Sequence, residues 1–295
     1  MISLRGIFPP IPTPFDTNEA IDFGRLEANL TRWDSWPLAG YVVAGSTGES
    51  VSLTGDERVG LVRAVRSAIP REKLVIAGAG LESTRQTVEL VGRMADSGAD
   101  AVIVVTPSYF APSIGPRGLI AHYLSIAGAS KLPVILYSVP IYTHLDLPIE
   151  VVRELSAHPN VIGIKESGSS LAKITSLVHQ SPEEFQVLVG SAGLLLGALT
   201  VGAVGCIPAL GTVAAAQIRE LMTAFDRGDL TRAREIQAKL VEPNEVLTIR
   251  FGVAGVKAAL DLLGFYGGPP RSPLQSLGED ELALLRASLG QAGLI

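Results

Sequence analysis

The sequence carries little charge and almost no sulfur chemistry. Only 18% of its 295 residues are Asp, Glu, Lys or Arg, and its single cysteine, Cys206, has no internal partner for a disulfide. Cys206 lies in the apolar segment Ala203-Val-Gly-Cys-Ile207, which reads as the site of a buried structural thiol. Against 29 acidic residues stand 24 basic ones, a formal charge of −5 with no basic run, which argues against nucleic acid and anionic membrane surfaces as partners. The four histidines, His122, His144, His158 and His179, show no close ligand spacing, so metal-dependent chemistry is disfavoured and no metal site is expected. Neither a Gly-x-Ser-x-Gly elbow nor a Walker-type loop is present. The opening residues, Met1-Ile-Ser-Leu-Arg-Gly-Ile-Phe-Pro9, lack the apolar core of a signal peptide, so a cytoplasmic protein is expected.

Apolar residues are abundant instead, at 47%, with a mean hydropathy of +0.35. The one charge-free stretch long enough to span a bilayer runs from Phe185 to Ile218, and six glycines and Pro208 divide it. A span needs about 20 mostly apolar residues in one helix. The pieces here suit short buried elements and turns, so the oiliness points to burial within protein.

Eight short runs rich in β-branched residues recur along the chain: Gly6–Phe8, Tyr41–Ala44, Leu74–Ala77, Ala101–Val105, Val134–Tyr137, Val161–Lys165, Phe185–Val189 and Val204–Ile207. Helical signals lie between them. Thr54-Gly-Asp-Glu57 reads as a capping box ahead of Val59, Val62, Val65 and Ile69 on one face. Ser83-Thr84 opens a helix carrying Val88, Val91 and Met94 that closes near Gly98, and Pro148 suits the first turn of another. Near-continuous apolar strands alternating with helices predict a parallel sheet covered on its outer face, closed as a (β/α)8 TIM barrel over residues 1–226. After Thr212 the pattern is helical only. Ala214–Asp226 fits the eighth barrel helix, and residues 227–295 read as a C-terminal helical extension packed on the barrel, interrupted at Gly267-Gly-Pro-Pro270.

In such barrels, chemistry is built at the carboxyl ends of the strands. The chain has only six lysines, and this rule separates them. Lys73 and Lys131 precede strands, Lys173, Lys239 and Lys257 fall in helical segments, and Lys165 alone ends a strand. Alternation puts Val161, Gly163, Lys165 and Ser167 on one face. If that face points inward the amine is partly desolvated, which favours its neutral, nucleophilic form and a Schiff base with a ketone. A strand-end lysine that merely reaches solvent is the plainer alternative. Tyr137 ends the preceding strand at the matching position, where its phenol can move protons beside the amine or simply line the barrel. Ala44-Gly-Ser-Thr-Gly-Glu49 offers backbone N–H groups and two adjacent hydroxyls to a carboxylate, although glycine-rich turns after strands are common. Gly190-Ser-Ala-Gly193 and Gly202-Ala-Val-Gly205 border the last two strands. Close backbone packing suits them better than phosphate binding.

Taken together, Pro12-Thr-Pro14, Gly45-Ser-Thr-Gly-Glu49, Val105-Thr-Pro-Ser-Tyr109, Leu136-Tyr-Ser-Val-Pro140, Ile162-Gly-Ile-Lys-Glu166 and Val189-Gly-Ser191 resemble the motifs of the dihydrodipicolinate synthase and N-acetylneuraminate lyase family of pyruvate-dependent Schiff-base lyases. The resemblance runs along essentially the whole chain. It implies that Lys165 forms the Schiff base, that Tyr137 is the general acid/base, and that Ser46 and Thr47 hold the pyruvoyl carboxylate. It further implies that Tyr109 completes a proton relay, often in a neighbouring subunit's site, and that the backbone at Ile207 contacts pyruvate. Gly190 and Tyr142 are further candidate substrate contacts.

Dihydrodipicolinate synthases carry an arginine where this chain has Tyr142, and a tyrosine offers one neutral hydroxyl in place of a bidentate cation. Tyr137-Ser-Val-Pro140, Leu145-Asp-Leu-Pro148, His158-Pro-Asn160, Phe185-Gln-Val-Leu188, Glu242-Pro-Asn244 and Gly264-Phe-Tyr-Gly-Gly-Pro269 look instead like 4-hydroxy-2-oxoglutarate aldolase. In that aldolase a serine matching Ser167 assists at the substrate hydroxyl. Thr47 in place of asparagine, and Tyr142-Thr-His144 in place of Asn-Thr-Gly, reshape the pocket. The resemblance thus implies a class I aldolase acting on a 4-hydroxy-2-oxo acid, with no metal or organic cofactor, assembled as a homotetramer (a dimer of dimers). A synthase or dehydratase on the same scaffold is the alternative within the family. A non-catalytic 2-oxo acid sensor is the alternative outside it, and the pairing of Lys165 with Tyr137 argues against that.

Overall fold

Every one of the eight predicted runs pairs into a single parallel sheet, in a computed structural model that describes residues 2–295. The strands are β1 Gly6–Ile7, β2 Gly40–Val43, β3 Leu74–Gly78, β4 Ala101–Val105, β5 Val134–Ser138, β6 Val161–Glu166, β7 Gln186–Val189 and β8 Gly205–Cys206, in the order β1-β8-β7-β6-β5-β4-β3-β2. Pro9 and Pro10 lack the N–H groups a regular β1–β2 ladder needs. The barrel closes there through Ala39 N–H to Ile7 O, Val42 N–H to Pro9 O and Ile11 N–H to Val42 O, at 3.0 Å each.

Around the barrel lie α1 Phe23–Asp34, α2 Gly55–Ala68, α3 Thr84–Asp96, α4 Pro116–Ala129, the single turn α5 Pro140–Thr143, α6 Ile149–Ser156, α7 Leu171–Gln180, α8 Leu195–Thr200 and α9 Gly211–Asp226. The capping box at α2 forms in full: Glu57 N–H donates to Thr54 Oγ1, and Thr54 N–H donates to Glu57 Oε2. Pro148 sits at the N-cap of α6, one residue before the expected first turn. α9 begins at Gly211, earlier than the sequence pattern indicates, and kinks at Ala214. The charge-free stretch from Phe185 to Ile218 becomes β7, α8, β8 and the start of α9. Among the described residues no helix is long and apolar enough to cross a membrane. Cys206 is fully buried, and burial pushes its thiol up to about 12.

Two apolar layers follow from the two faces of the strands. The larger lies between sheet and helices; the smaller fills the barrel with Phe8, Val42, Ile76, Ile103, Ile135 and Leu188. This arrangement corrects the alternation expected for β6. Val134 pairs with Val161 but Ile135 pairs with Gly163, so β6 carries an extra residue, Ile162. That bulge sends Val161 into the outer layer and Ile162 into the barrel, and only Gly163, Lys165 and Ser167 keep the expected inward parity. Gly163 has no room for a side chain, since a Cβ there would lie 2.3 Å from Gln186 O.

After α9 come α10 Leu230–Asn244, a wider π-helical turn over Glu245–Arg250, α11 Gly252–Leu262 and α12 Glu279–Gln291. Pro243 lies inside α10 and cannot donate to the preceding turn, which accounts for the widened turn just after it.

Candidate active site

The register of β5 and β6 makes Tyr137 and Lys165 direct neighbours at the strand ends. Lys165 is 5% exposed, with its Nζ over the Tyr137 ring at 4.1 Å from the centroid. The Tyr137 hydroxyl lies 3.4 Å from Ser46 Oγ. One cleft of about 90 Å3 brings together Lys165, Tyr137, Ser46, Thr47, Ser167, Tyr142, Gly190 and Ile207, eight of the nine sequence candidates. Gly190 is required where it stands, because a Cβ would meet Ser167 Oγ at 2.0 Å. The Ile207 N–H donates to Val189 O, which leaves only its carbonyl for a ligand. Tyr142 stands half-exposed at the rim, where partial burial and then the Tyr137 hydroxyl raise its phenol above the usual range.

Tyr109 is the ninth candidate and does not reach this cleft. It is 79% exposed on the loop after β4, packed edge-on against the exposed Phe110. Glu82 holds that loop, accepting from the N–H groups of Ser108 and Tyr109 and from the Ser108 hydroxyl. Behind it, His122 is buried with Nδ1 at 2.8 Å from Thr84 Oγ1, and burial lowers its pKa to about 4. Within one chain, the β4 loop carries Tyr109 away from Lys165.

The loop after β2 is built differently. It begins and ends in left-handed backbone, at Ala44 (φ 53°) and Glu49 (φ 57°), an uncommon conformation for residues with a Cβ and one that recurs at functional sites. Among the described residues no backbone carbonyl takes the N–H of Ser46 or Thr47, so both are free for a carboxylate. Thr13 Oγ1 donates to Gly48 O, and Glu49 reaches inward to a buried ion pair with Lys257 of α11, at 2.6 Å with both side chains 1% exposed. Arg271 N–H donates to Glu49 Oε2, and the Arg271 guanidinium binds Glu57 and Ser52 O. That guanidinium holds the Glu57 carboxyl down at about 2.

A second buried pair backs the strand ends. Glu166 and Ser138 are register partners whose side chains point away from the cleft, opposite Lys165 and Tyr137. Glu166, 1% exposed, lies 2.6 Å from Lys173 Nζ, and Lys173 also binds Asp146, which accepts from the Ser138 hydroxyl. Lys173 lies in α7, the helical segment expected for it, and not at a strand end. Its amine ties together the backs of the two strands that carry Tyr137 and Lys165.

One wall of the cleft lies outside the residues that the sequence marks. Thr248, Ile249, Gly252, Val253 and Val256 come from the C-terminal extension and line it together with the barrel residues. The same extension clamps the loop after β7. Asn244 accepts from Ala192 N–H and donates to Ser191, while Gln237 donates to the carbonyls of Ala192 and Gly193. The readable signal was Pro243 inside a helical pattern, which widens the following turn and aims Thr248 and Ile249 at the barrel mouth. Among the described residues no group of three or more His, Cys, Asp or Glu is placed to hold a metal ion.

Comparisons with known proteins give the family. Residues 3–292 match the model of the dihydrodipicolinate synthetase family. A 4-hydroxy-tetrahydrodipicolinate synthase from Natronomonas pharaonis is 34% identical over 288 residues, covering 97% of each chain. The crystal structure of a dihydrodipicolinate synthase from Bacillus anthracis superposes with a TM-score of 0.95 at 32% identity, covering 98% of this chain and 99% of that one. A prophage protein of the dihydrodipicolinic acid synthase family from E. coli K12, solved with pyruvate, superposes with a TM-score of 0.93 at 29% identity, covering 99% of each chain. The chain belongs to the dihydrodipicolinate synthetase family of class I, Schiff-base carbon–carbon lyases.

Proposed function

We propose that Lys165 is the lysine on which this enzyme forms its pyruvoyl Schiff base, and that the reaction cleaves or forms a 4-hydroxy-2-oxo acid, the broad class to which 4-hydroxy-2-oxoglutarate belongs. One observation carries the reading: the buried Lys165 amine lies against Tyr137, whose hydroxyl is in turn 3.4 Å from Ser46. In the cleavage direction the amine adds to the 2-oxo carbon and water leaves, giving a protonated imine. The free N–H groups and hydroxyls of Ser46 and Thr47 hold the adjacent carboxylate. The Tyr137 hydroxyl accepts the 4-hydroxyl proton while passing its own toward Ser46, the C3–C4 electron pair moves into the imine, and an aldehyde departs. The resulting enamine is protonated at C3 and hydrolysed to pyruvate, freeing Lys165. Ser167 lines the cleft on the same face as Lys165, which supports a contact with the substrate hydroxyl.

Tyr109 enters through oligomerisation. Its exposure on the β4 loop supports a role in the site of a second subunit, as the resemblance implies, in a tetramer built as a dimer of dimers.

The names borne by the relatives favour a second reading, a 4-hydroxy-tetrahydrodipicolinate synthase that uses the same imine with aspartate semialdehyde as the electrophile. Tyr142 at the rim weighs against it, because it offers a hydroxyl where a second carboxylate needs a cation. Borohydride reduction in the presence of pyruvate, followed by peptide mass analysis, tests the common step. A reduced pyruvoyl adduct on Lys165, lost in Lys165→Ala, is the expected result. No adduct on Lys165 overturns it. Product analysis with aspartate semialdehyde then separates synthase from aldolase.

A further inference from the structure

Among the described residues, no charged side chain other than Lys165 lines the cleft. When that amine has become the neutral enamine that meets the aldehyde, no side chain in the described lining carries a positive charge. The N–H groups of Ser46 and Thr47 serve the first carboxylate. The remaining hydroxyls are neutral, and two of them already serve Asn244: Ser191 Oγ accepts from its side chain, and Thr248 Oγ1 donates to its carbonyl. The other surfaces are apolar, with Val139, Ile141, Ile249 and Val253 foremost. A second carboxylate enclosed here would lose water without gaining a cationic side chain, which disfavours its ionised form.

The cleft is not closed. Ser46, Tyr142, Gly252 and Val253 also border a groove of about 550 Å3, whose walls include Val51, Phe251, Leu274 and Leu277. Its charged residues do not serve the cleft: Glu49 is spent on Lys257, while Arg250 and Glu281 are exposed.

We infer that the aldehyde partner is uncharged over the part the cleft encloses, and that it has an apolar alkyl or aryl body continuing past Tyr142 into this groove. The inference rests on the Schiff-base reading above and deepens it: among 4-hydroxy-2-oxo acids, the preferred ones carry an apolar substituent at C4, and 4-hydroxy-2-oxoglutarate is a poorer match.

The test is kcat/KM in the condensation direction with pyruvate and, in turn, butanal, benzaldehyde, glyoxylate and aspartate semialdehyde. Borohydride trapping runs in parallel on the same preparation. The neutral apolar aldehydes are expected to exceed glyoxylate and aspartate semialdehyde by about tenfold or more. Tyr142→Arg is expected to narrow or invert that ratio by raising turnover with glyoxylate, whereas Tyr142→Phe leaves the preference for neutral aldehydes in place. Faster turnover of wild type with either carboxylated aldehyde overturns the inference, as does pyruvate trapped at Lys165 with no turnover of either apolar aldehyde. Both outcomes leave the Schiff-base reading standing. Absence of trapping overturns that reading and the inference with it.

Discussion

Two loops at the same end of the barrel were both marked as functional by their residues, and they are held in opposite ways. The β2 loop, with Ser46 and Thr47, is anchored from beneath by Glu49 in a fully buried ion pair with Lys257, and from the side by Arg271. The β4 loop, with Tyr109, is held by the exposed carboxylate of Glu82 and leaves its two aromatic rings in the open. The first loop is completed by its own chain. The second presents an exposed aromatic tip that its own cleft does not use. A loop that must bind a carboxylate accurately benefits from over-determination, because a small displacement of a binding group costs much in rate. An exposed tip of large apolar side chains suits contact with another surface.

The largest effect that would break this comparison is expected from Lys257→Met. Removing one partner of a pair with both side chains 1% exposed leaves Glu49 charged and buried, at a cost of about 3–5 kcal/mol in denaturant unfolding. Glu82→Ala removes an exposed carboxylate and is expected to cost about 1 kcal/mol or less. Equal losses would show that the loops do not differ in the way described.

Next in size is the effect on activity. Tyr109→Phe is expected to lower kcat about 100-fold while leaving stability unchanged. If Tyr109 serves a neighbour, mixing the impaired Tyr109→Phe protein with the inactive Lys165→Ala protein under subunit exchange raises turnover above that of either alone. No recovery in a mixture shown by mass to contain hetero-oligomers counts against a shared site.

Lys173→Met probes the strand backs. It strands Glu166, so unfolding is again expected to be easier, while Lys173→Met combined with Glu166→Gln recovers much of the loss because no buried charge is left uncompensated. In the double variant kcat is expected to remain depressed with KM little changed, since the tie between β5 and β6 is gone. A wild-type kcat would remove Lys173 from any positioning role.

The smallest effects come from acid, which should reach the two loops in different windows. His122, behind the β4 loop, has its pKa lowered by burial from 6.5 to about 4, so the unfolded chain binds the proton first and stability falls as pH drops from 6.5 toward 4. Glu57, beside the β2 loop, has its pKa lowered from 4.5 to about 2 by Arg271. Its contribution is complete above 4.5 and is lost as pH falls through about 2. Hydrogen exchange followed against pH should show the β4 side loosening first, and Glu57→Gln should flatten only the lower window.

Much of this was legible from residue type and order. Eight runs separated by capping and glycine signals become eight strands, because parallel strands buried on both faces must be apolar throughout. Lys165 stood out through the rarity of lysine at strand ends. The expected face of β6 held only above Ile162, because a bulge depends on how two strands meet and not on either sequence alone. For the wall formed by Thr248, Ile249 and Val253 the sequence offered only Pro243 as a sign, because Thr248 and Ile249 lie in a widened helical turn and Val253 just after it, and periodicity reads all of this as ordinary helix.

The sequence by itself determined the barrel, the identity of the lone strand-end lysine, its tyrosine neighbour, and the hydroxyl pair after the second strand, because these follow from local periodicity and from the rule that barrel chemistry sits at strand ends. Only the tertiary structure decided which charges are silenced and which surfaces are left open. Glu49, Lys257, Glu166 and Lys173 lie far apart in the chain or face away from the cleft, and their pairing depends on burial that no local pattern encodes. The cleft is therefore left with one amine among neutral hydroxyls and apolar walls, and Tyr109 is left facing outward.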